Sequence, residues 1–136
     1  MLGTGLSSQR IRSLLSALAL PLLALGSAEP VRSDQWSSCL FNNRPVDCRR
    51  TFLCPGVPCD VFRLEWEDGP DDVFTRVRDG AARNVGFYRD TRGGEWMLRE
   101  FAGAFGLRNP ANGNAIVYGM TLPECEHSML DDFCSR

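Results

Sequence analysis

Lysine is absent from this chain, histidine occurs once, and no two cysteines stand in a CxxC pair. Each absence narrows what the protein can be. Apart from His127, every basic residue is an arginine, a pattern that fits compositional bias and also supplies forked, carboxylate-pairing donors. A serine or cysteine triad needs a histidine base. His127 stands between acidic residues and cysteines near the C-terminus, where it reads as a surface residue. Without CxxC spacing, neither a zinc site nor a thioredoxin-like redox centre is indicated. No basic stripe is present and the formal net charge is −2, which argues against nucleic acid and against an anionic membrane surface. No apolar run reaches the roughly 20 residues that span a bilayer.

The N-terminus carries an address. Arg10 and Arg12 precede the apolar run Leu14 to Leu25, and small residues follow at Gly26-Ser27-Ala28. Basic, apolar and small in that order is the pattern of a secretory signal peptide, assigned here to residues 1–28. Cleavage would remove two arginines and no acid, leaving a chain more acidic than the whole. No membrane insertion is expected after cleavage, and the destination is extracytoplasmic, periplasmic or secreted.

All six cysteines, Cys39, Cys48, Cys54, Cys59, Cys125 and Cys134, lie beyond that point. An even count in an exported chain reads as a disulfide framework, whose pairing sequence alone does not choose. Cys54 and Cys59 bracket Pro-Gly-Val-Pro and can close a small local loop. If TLPECEHSMLDDFC is one helix, Cys125 and Cys134 stand about 13 Å apart at roughly 1.5 Å per residue. A disulfide holds Cα atoms within roughly 7 Å. The expectation is therefore that those two do not pair with each other, and that at least one reaches back to the N-terminal group.

Residues 29–60 form a cysteine-rich segment expected to pack on the domain that follows. Within it, Asn42-Asn43 can turn a tight hairpin between Cys39 and Cys48. From Val61 the pattern has period two, with Phe62, Leu64 and Trp66 on one face of a first strand. A second strand follows over 72–78, with Val73, Thr75 and Val77 on one side, and a third over 84–90, with Val85 and Phe87 inward. Trp96 and Leu98 point inward from a fourth, Phe105 and Leu107 mark another apolar stretch, and 115–120 is the last strand. Leu98, Phe101, Ala102 and Phe105 also fit helical spacing, so residues 95–106 read as either; Gly103 and Gly106 tip the reading toward strand. Short strands joined by Gly and Asp turns at regular spacing predict a mostly β fold, a small antiparallel meander forming a curved or barrel-like sheet. Thr121 with Glu124 is a capping box for a C-terminal helix that covers the sheet, completing a β domain over 61–136.

Chemistry is less well marked. Glu65, Glu67, Asp90 and Glu95 are carboxylates that a small hydrolase could use, but acids are numerous and no catalytic set is assigned. Glu67, Asp68, Asp71 and Asp72 cluster at one turn without matching a calcium loop. No metal or cofactor is expected. The turn Tyr88 to Trp96 combines amphipathic aromatics, arginines and a Gly pair, the residue types that anchor interfaces. Tyr88, Arg89, Asp90, Arg92 and Trp96 are accordingly the candidate binding residues.

Trp66-Glu-Asp-Gly69, the run Gly86 to Trp96, and Asn112-Gly-Asn114 resemble small exported proteins of cyanobacterial type. That resemblance implies export and transfers no activity. In size, export and strand count the chain is also similar to periplasmic lysozyme inhibitors, small disulfide-bearing β-barrels, but no matching motif carries their functional residues across. The expected function is a non-enzymatic exported module binding a protein or a surface glycan. A carboxylate-dependent hydrolase and a structural envelope component are the alternatives.

Overall fold

The computed structural model describes residues 35–134, and the leader at 1–28 lies outside the described residues. Eight strands follow one another: β1 Ser37–Phe41, β2 Arg44–Phe52, β3 Val61–Trp66, β4 Asp72–Asp79, β5 Val85–Asp90, β6 Glu95–Phe101, β7 Ala104–Arg108 and β8 Ala115–Tyr118. Each pairs antiparallel with the next, and β8 pairs back onto β1 to close a barrel. The predicted meander is thus fully closed. The stretch 29–60 supplies, within the described residues, two of the eight staves. A short helix, α1 Leu122–Glu126, and a 3₁₀ turn, Asp131–Phe133, complete the chain.

Local chemistry sets the connections. Asn42 and Asn43 both adopt positive φ (49° and 66°), as the two-residue turn between β1 and β2 requires. Ala102 and Gly103 do the same (50° and 84°) between β6 and β7, which makes residues 95–106 two strands rather than a helix. A helix through this segment would have left Phe101 and Phe105 on one face. In the barrel Phe105 is buried inside, while Phe101 sits exposed at the strand end.

Side chains alternate inside and outside along each strand. Phe62, Leu64, Phe74, Tyr88, Trp96, Leu98, Phe105, Leu107 and Ile116 fill the interior with the Cys39–Cys48 disulfide. Aromatic rings dominate its middle: Phe62 stacks on Phe74 (5.2 Å) and meets Tyr88 (5.4 Å) and Phe105 (5.5 Å) edge-on. Two strands face opposite to expectation. On β4 the buried residue is Phe74, with Val73 half-buried and Thr75 and Val77 exposed. On β5 Gly86 and Tyr88 are buried, while Val85 and Phe87 are only partly so. The reason is that these staves carry polar or small residues inward. Arg76 lies against Gly86, where any Cβ would come within 2.9 Å of its Cζ. Phe87 lies outside beneath Arg78, whose guanidinium is 4.2 Å from the ring centroid. Apolar alternation misleads where the barrel interior holds an arginine.

The cysteines pair as Cys39–Cys48, Cys54–Cys59 and Cys125–Cys134, and no described cysteine is free. The last pair corrects the expectation drawn from a continuous helix. α1 begins as predicted, with Thr121 accepting from the Glu124 N–H, but it ends at Glu126. The Ser128 hydroxyl donates to the Cys125 carbonyl (2.9 Å) and accepts from the Leu130 N–H (3.0 Å), side-chain bonds that compete with helix propagation. The chain folds back, and Cys134 comes within 6.3 Å (Cα–Cα) of Cys125. Three disulfides suit an oxidising, extracytoplasmic compartment. Among the described residues no helix is long and apolar enough to cross a membrane.

This stapled C-terminal segment covers the outer face of β1, β7 and β8. Leu40, Ala104 and Val117 from the barrel bury against Cys125, Leu130, Phe133 and Cys134. Phe133 sits directly over Gly106, flanked by the guanidinium groups of Arg99 (4.8 Å) and Arg108 (5.2 Å), both of which also bind Asp132. A Cβ at position 106 would fall 2.6 Å from both Cδ atoms of that ring. Gly106→Ala should therefore destabilise the fold by about 1–3 kcal/mol, the usual range for overpacking. Because the clash is with one ring, the same substitution made on Phe133→Ala should have little further effect, a non-additivity that a thermal-denaturation cycle would read. Additive losses would place the strain elsewhere.

Candidate functional site

In an up-and-down barrel alternate connections share a rim. The turns at 42–43, 67–71, 91–94 and 109–114 therefore gather at one end. They surround a recess of about 520 Å³. Phe41, Trp66, Trp96 and Ile116 give it apolar walls, and Arg44, Arg92, Asp68, Asp72, Asp90 and three asparagines supply the polar groups. Phe41 meets Trp66 edge-on at 6.0 Å.

The two indoles are held in matching ways. The Trp66 Nε1–H donates to Asp72 (2.9 Å), and the Trp96 Nε1–H donates to Asp90 (2.9 Å). Each carboxylate is then occupied further by the fold. Asp72 accepts from the Arg92 guanidinium (3.1 Å). Asp90 accepts from the backbone N–H of Arg92 (2.9 Å) and of Gly94 (2.8 Å), which shapes the turn at Gly93, where φ is 87°. Partial burial pushes the Asp90 carboxyl upward, but the Trp96 indole, the Gly94 and Arg92 N–H groups and the Arg92 charge outweigh it and hold the group below its ordinary value. At the rim Arg44 pairs with Asp68 (2.8 Å). Asn109 and Asn112 cap their own turn through their carboxamide oxygens, and Asn114 accepts from Asn42. Their amide NH₂ groups are left as donors.

Set against known proteins, the chain matches no family model, no curated protein and no solved structure.

Of the five candidate binding residues, Asp90, Arg92 and Trp96 line this mouth. Tyr88 lies deeper, its ring against Phe62 and its side chain toward the other end of the barrel. Arg89 is exposed on the outer face, opposite Thr75 and Glu95 in the sheet. Phe41, Arg44, Trp66, Asp72 and the asparagines are not named as binding residues from sequence, although Trp66 reads as inward-facing and Asp72 as part of an acidic turn. The available signal was topological, since in a meander every second turn meets at one rim.

The carboxylates weighed for hydrolysis do not converge. Glu65 pairs with Arg49 and Glu95 with Arg78 on the outer surface, while Asp90 faces inward. The acidic turn at 67–72 is likewise divided, with Asp68 on Arg44, Asp71 near Arg63 (3.9 Å) and Asp72 on Trp66 and Arg92. Among the described residues no three His, Cys, Asp or Glu side chains gather as a metal site. His127 is exposed at the end of α1, its Nδ1 2.8 Å from the Pro123 carbonyl oxygen.

Asp90 organises one wall of the mouth through its charge. An asparagine there would turn an NH₂ group toward one of the N–H donors. Asp90→Asn should lower stability at neutral pH by about 2 kcal/mol, the usual worth of hydrogen bonds to a charged group. With its pKa depressed on folding, the carboxylate stabilises fully above the unfolded value of about 3.9 and loses that effect as pH falls through the depressed value. The gap between wild-type and variant melting temperatures should therefore close in acid. Parallel curves down to about pH 2 would show that the Asp90 charge does not hold the wall.

Proposed function

We propose that the chain is an exported, non-enzymatic binding module that holds a saccharide in the mouth of its barrel. The observation that carries this reading is the pair of indoles anchored by Asp72 and Asp90 in one recess of about 520 Å³. A sugar presents an apolar C–H face and a belt of hydroxyls. The first asks for aromatic walls, the second for donors and acceptors in fixed positions. Phe41 and the two tryptophans supply walls. Arg44, Arg92 and the carboxamides of Asn109, Asn112 and Asn114 supply polar groups. The recess is concave and of about 520 Å³, a size that favours a small ligand over a broad protein surface.

Binding is favoured over hydrolysis for a chemical reason. Glycoside hydrolysis needs one carboxyl group free to give or take a proton, with a raised pKa in the acid. In the mouth, Asp90 is shifted downward and both its oxygens accept from the turn and the indole. Asp72 serves Trp66 and Arg92. Export through the leader at 1–28, to the periplasm or beyond, agrees with the disulfide framework. The outward charges at Arg49, Glu65, Arg78 and Glu95, with apolar residues facing in, are the reverse of a lipid-facing barrel.

Tryptophan fluorescence titration with neutral and N-acetylated oligosaccharides should give saturable quenching or enhancement. Trp66→Ala should weaken binding by about tenfold or more, as expected for an anchoring aromatic. Arg92→Ala should weaken it as well, whereas Arg89→Ala, on the outer face, should leave it unchanged. Equal losses at Arg89 and Arg92 would move the site out of the mouth. Saturable binding of a peptide, with none for any oligosaccharide, would make the partner a protein.

A further inference from the structure

The opposite end of the barrel is ringed by the connections at 53–60, 80–84 and 102–103 and holds a second recess, of about 190 Å³. The packed rings of Phe62, Phe74, Tyr88 and Phe105 separate it from the mouth. Three arginines line it, Arg50, Arg76 and Arg83, and among the described residues Asp60 and Glu100 are the acids that line it with them.

Arg50 is the unusual member. It stands opposite Leu64 in the sheet and points with it into the barrel, its side chain only 16 % exposed. Its guanidinium lies over Phe52 (4.5 Å), Phe105 (4.9 Å) and Tyr118 (5.2 Å). The nearest carboxylate, Glu100, is 3.7 Å away, beyond hydrogen-bond distance and itself more than half exposed. Nε is sealed from solvent with no acceptor. Aromatic contacts satisfy the faces of a guanidinium but leave its in-plane N–H donors unanswered. A guanidinium this enclosed, with Nε unmet and only a half-exposed carboxylate 3.7 Å from Nη1, is poorly compensated, and an oxyanion at its terminal nitrogens would add charge-assisted hydrogen bonds. Nearby, Arg76 is held by Asp79 through two nitrogens (3.0 and 2.7 Å) and reaches the Tyr88 hydroxyl (3.5 Å). Gly86 leaves the room that the Arg76 guanidinium occupies, and Arg83 stands exposed at the rim.

We propose that this recess binds a tetrahedral oxyanion, phosphate or sulfate, through the terminal nitrogens of Arg50 with Arg76 and Arg83 completing the charge. The site is independent of the saccharide reading, because a packed core lies between the two recesses.

Calorimetric titration and thermal melting of the disulfide-intact protein with sodium phosphate and sodium sulfate would test it, against sodium chloride at equal ionic strength. Phosphate or sulfate should bind saturably and raise the melting temperature. Arg50→Met, which keeps the stem over the rings and removes the charge, should weaken binding by tenfold or more, in line with the loss of a buried charge partner. Trp66→Ala should leave it unchanged. If the Met variant fails to fold, Arg83→Ala at the exposed rim should still weaken binding. Comparing inorganic phosphate with glucose 6-phosphate and glucose separates a free ion from a phosphorylated group. Tighter binding of either phosphate supports the site and identifies the source. A response no larger than that to chloride, or one retained in full by Arg50→Met, would overturn it.

Discussion

Hydrogen bonding of β8 back onto β1, at Cys39 with Tyr118, Leu40 with Val117 and Phe41 with Ile116, is the constraint on which the rest depends. Eight short strands in a meander leave two unpaired edges unless the first and last meet. Closure encloses one set of alternate side chains and exposes the other. It also fixes the width. A barrel of eight strands is just wide enough for side chains to fill it or for one small ligand to enter. Here the aromatic rings around Phe62 fill the middle, and the space that remains is divided between the two ends. Closure further shapes the outside. Leu40 and Val117, opposite each other where the barrel joins, turn their apolar side chains outward and need the C-terminal segment over them. The Cys125–Cys134 disulfide holds that segment in its folded-back form, and Gly106 admits Phe133 to the surface it covers.

The two ends treat charge differently. At the mouth, inward carboxylates meet indole N–H groups, a backbone turn and an arginine, so every charge has partners. Polar groups answered in this way set side-chain directions and shape a surface. At the other end, Arg50 has rings about it, a sealed Nε without an acceptor and a loose ion pair with half-exposed Glu100, while its neighbour Arg76 is answered by Asp79 and Tyr88. The contrast between those two arginines, inside one barrel and near one another, is the observation on which the oxyanion proposal rests.

The strands, the Asn42-Asn43 turn, the Thr121 cap and the Cys54–Cys59 loop were legible because each rests on short-range chemistry: alternation, positive φ, a side-chain cap, a brief loop. The faces of β4 and β5 were not. Pattern reading assumes that polar residues point out, and Asp72, Arg76 and Asp90 point in because partners on other strands receive them. The Cys125–Cys134 pairing was misread for a related reason. The Ser128 hydroxyl stops a helix that composition would have carried on. At the mouth, the turn from 88 to 96 was recognised through its residue types, yet only Asp90, Arg92 and Trp96 belong to the recess. Trp66 and Asp72, distant in sequence from that turn, join them only once closure brings alternate loops to a common rim.

A line of ring contacts does run between the ends, from Arg50 over Phe105 to Phe62, on to Phe74, and from Phe74 to Trp96 (5.7 Å). Contact alone does not couple sites; coupling needs an element with two arrangements whose balance both ligands shift. Phe62, Phe74 and Phe105 are almost wholly buried on staves hydrogen-bonded on both sides. Interiors packed at that density resist small displacements rather than passing them on as alternative states. The turn at 91–94 is different, being an exposed loop whose form depends on Asp90. A ligand in the mouth can therefore reshape its own rim through that turn while the plug stays fixed. The same stiffness that makes the core a wall between the two recesses is what lets each be built from so few residues.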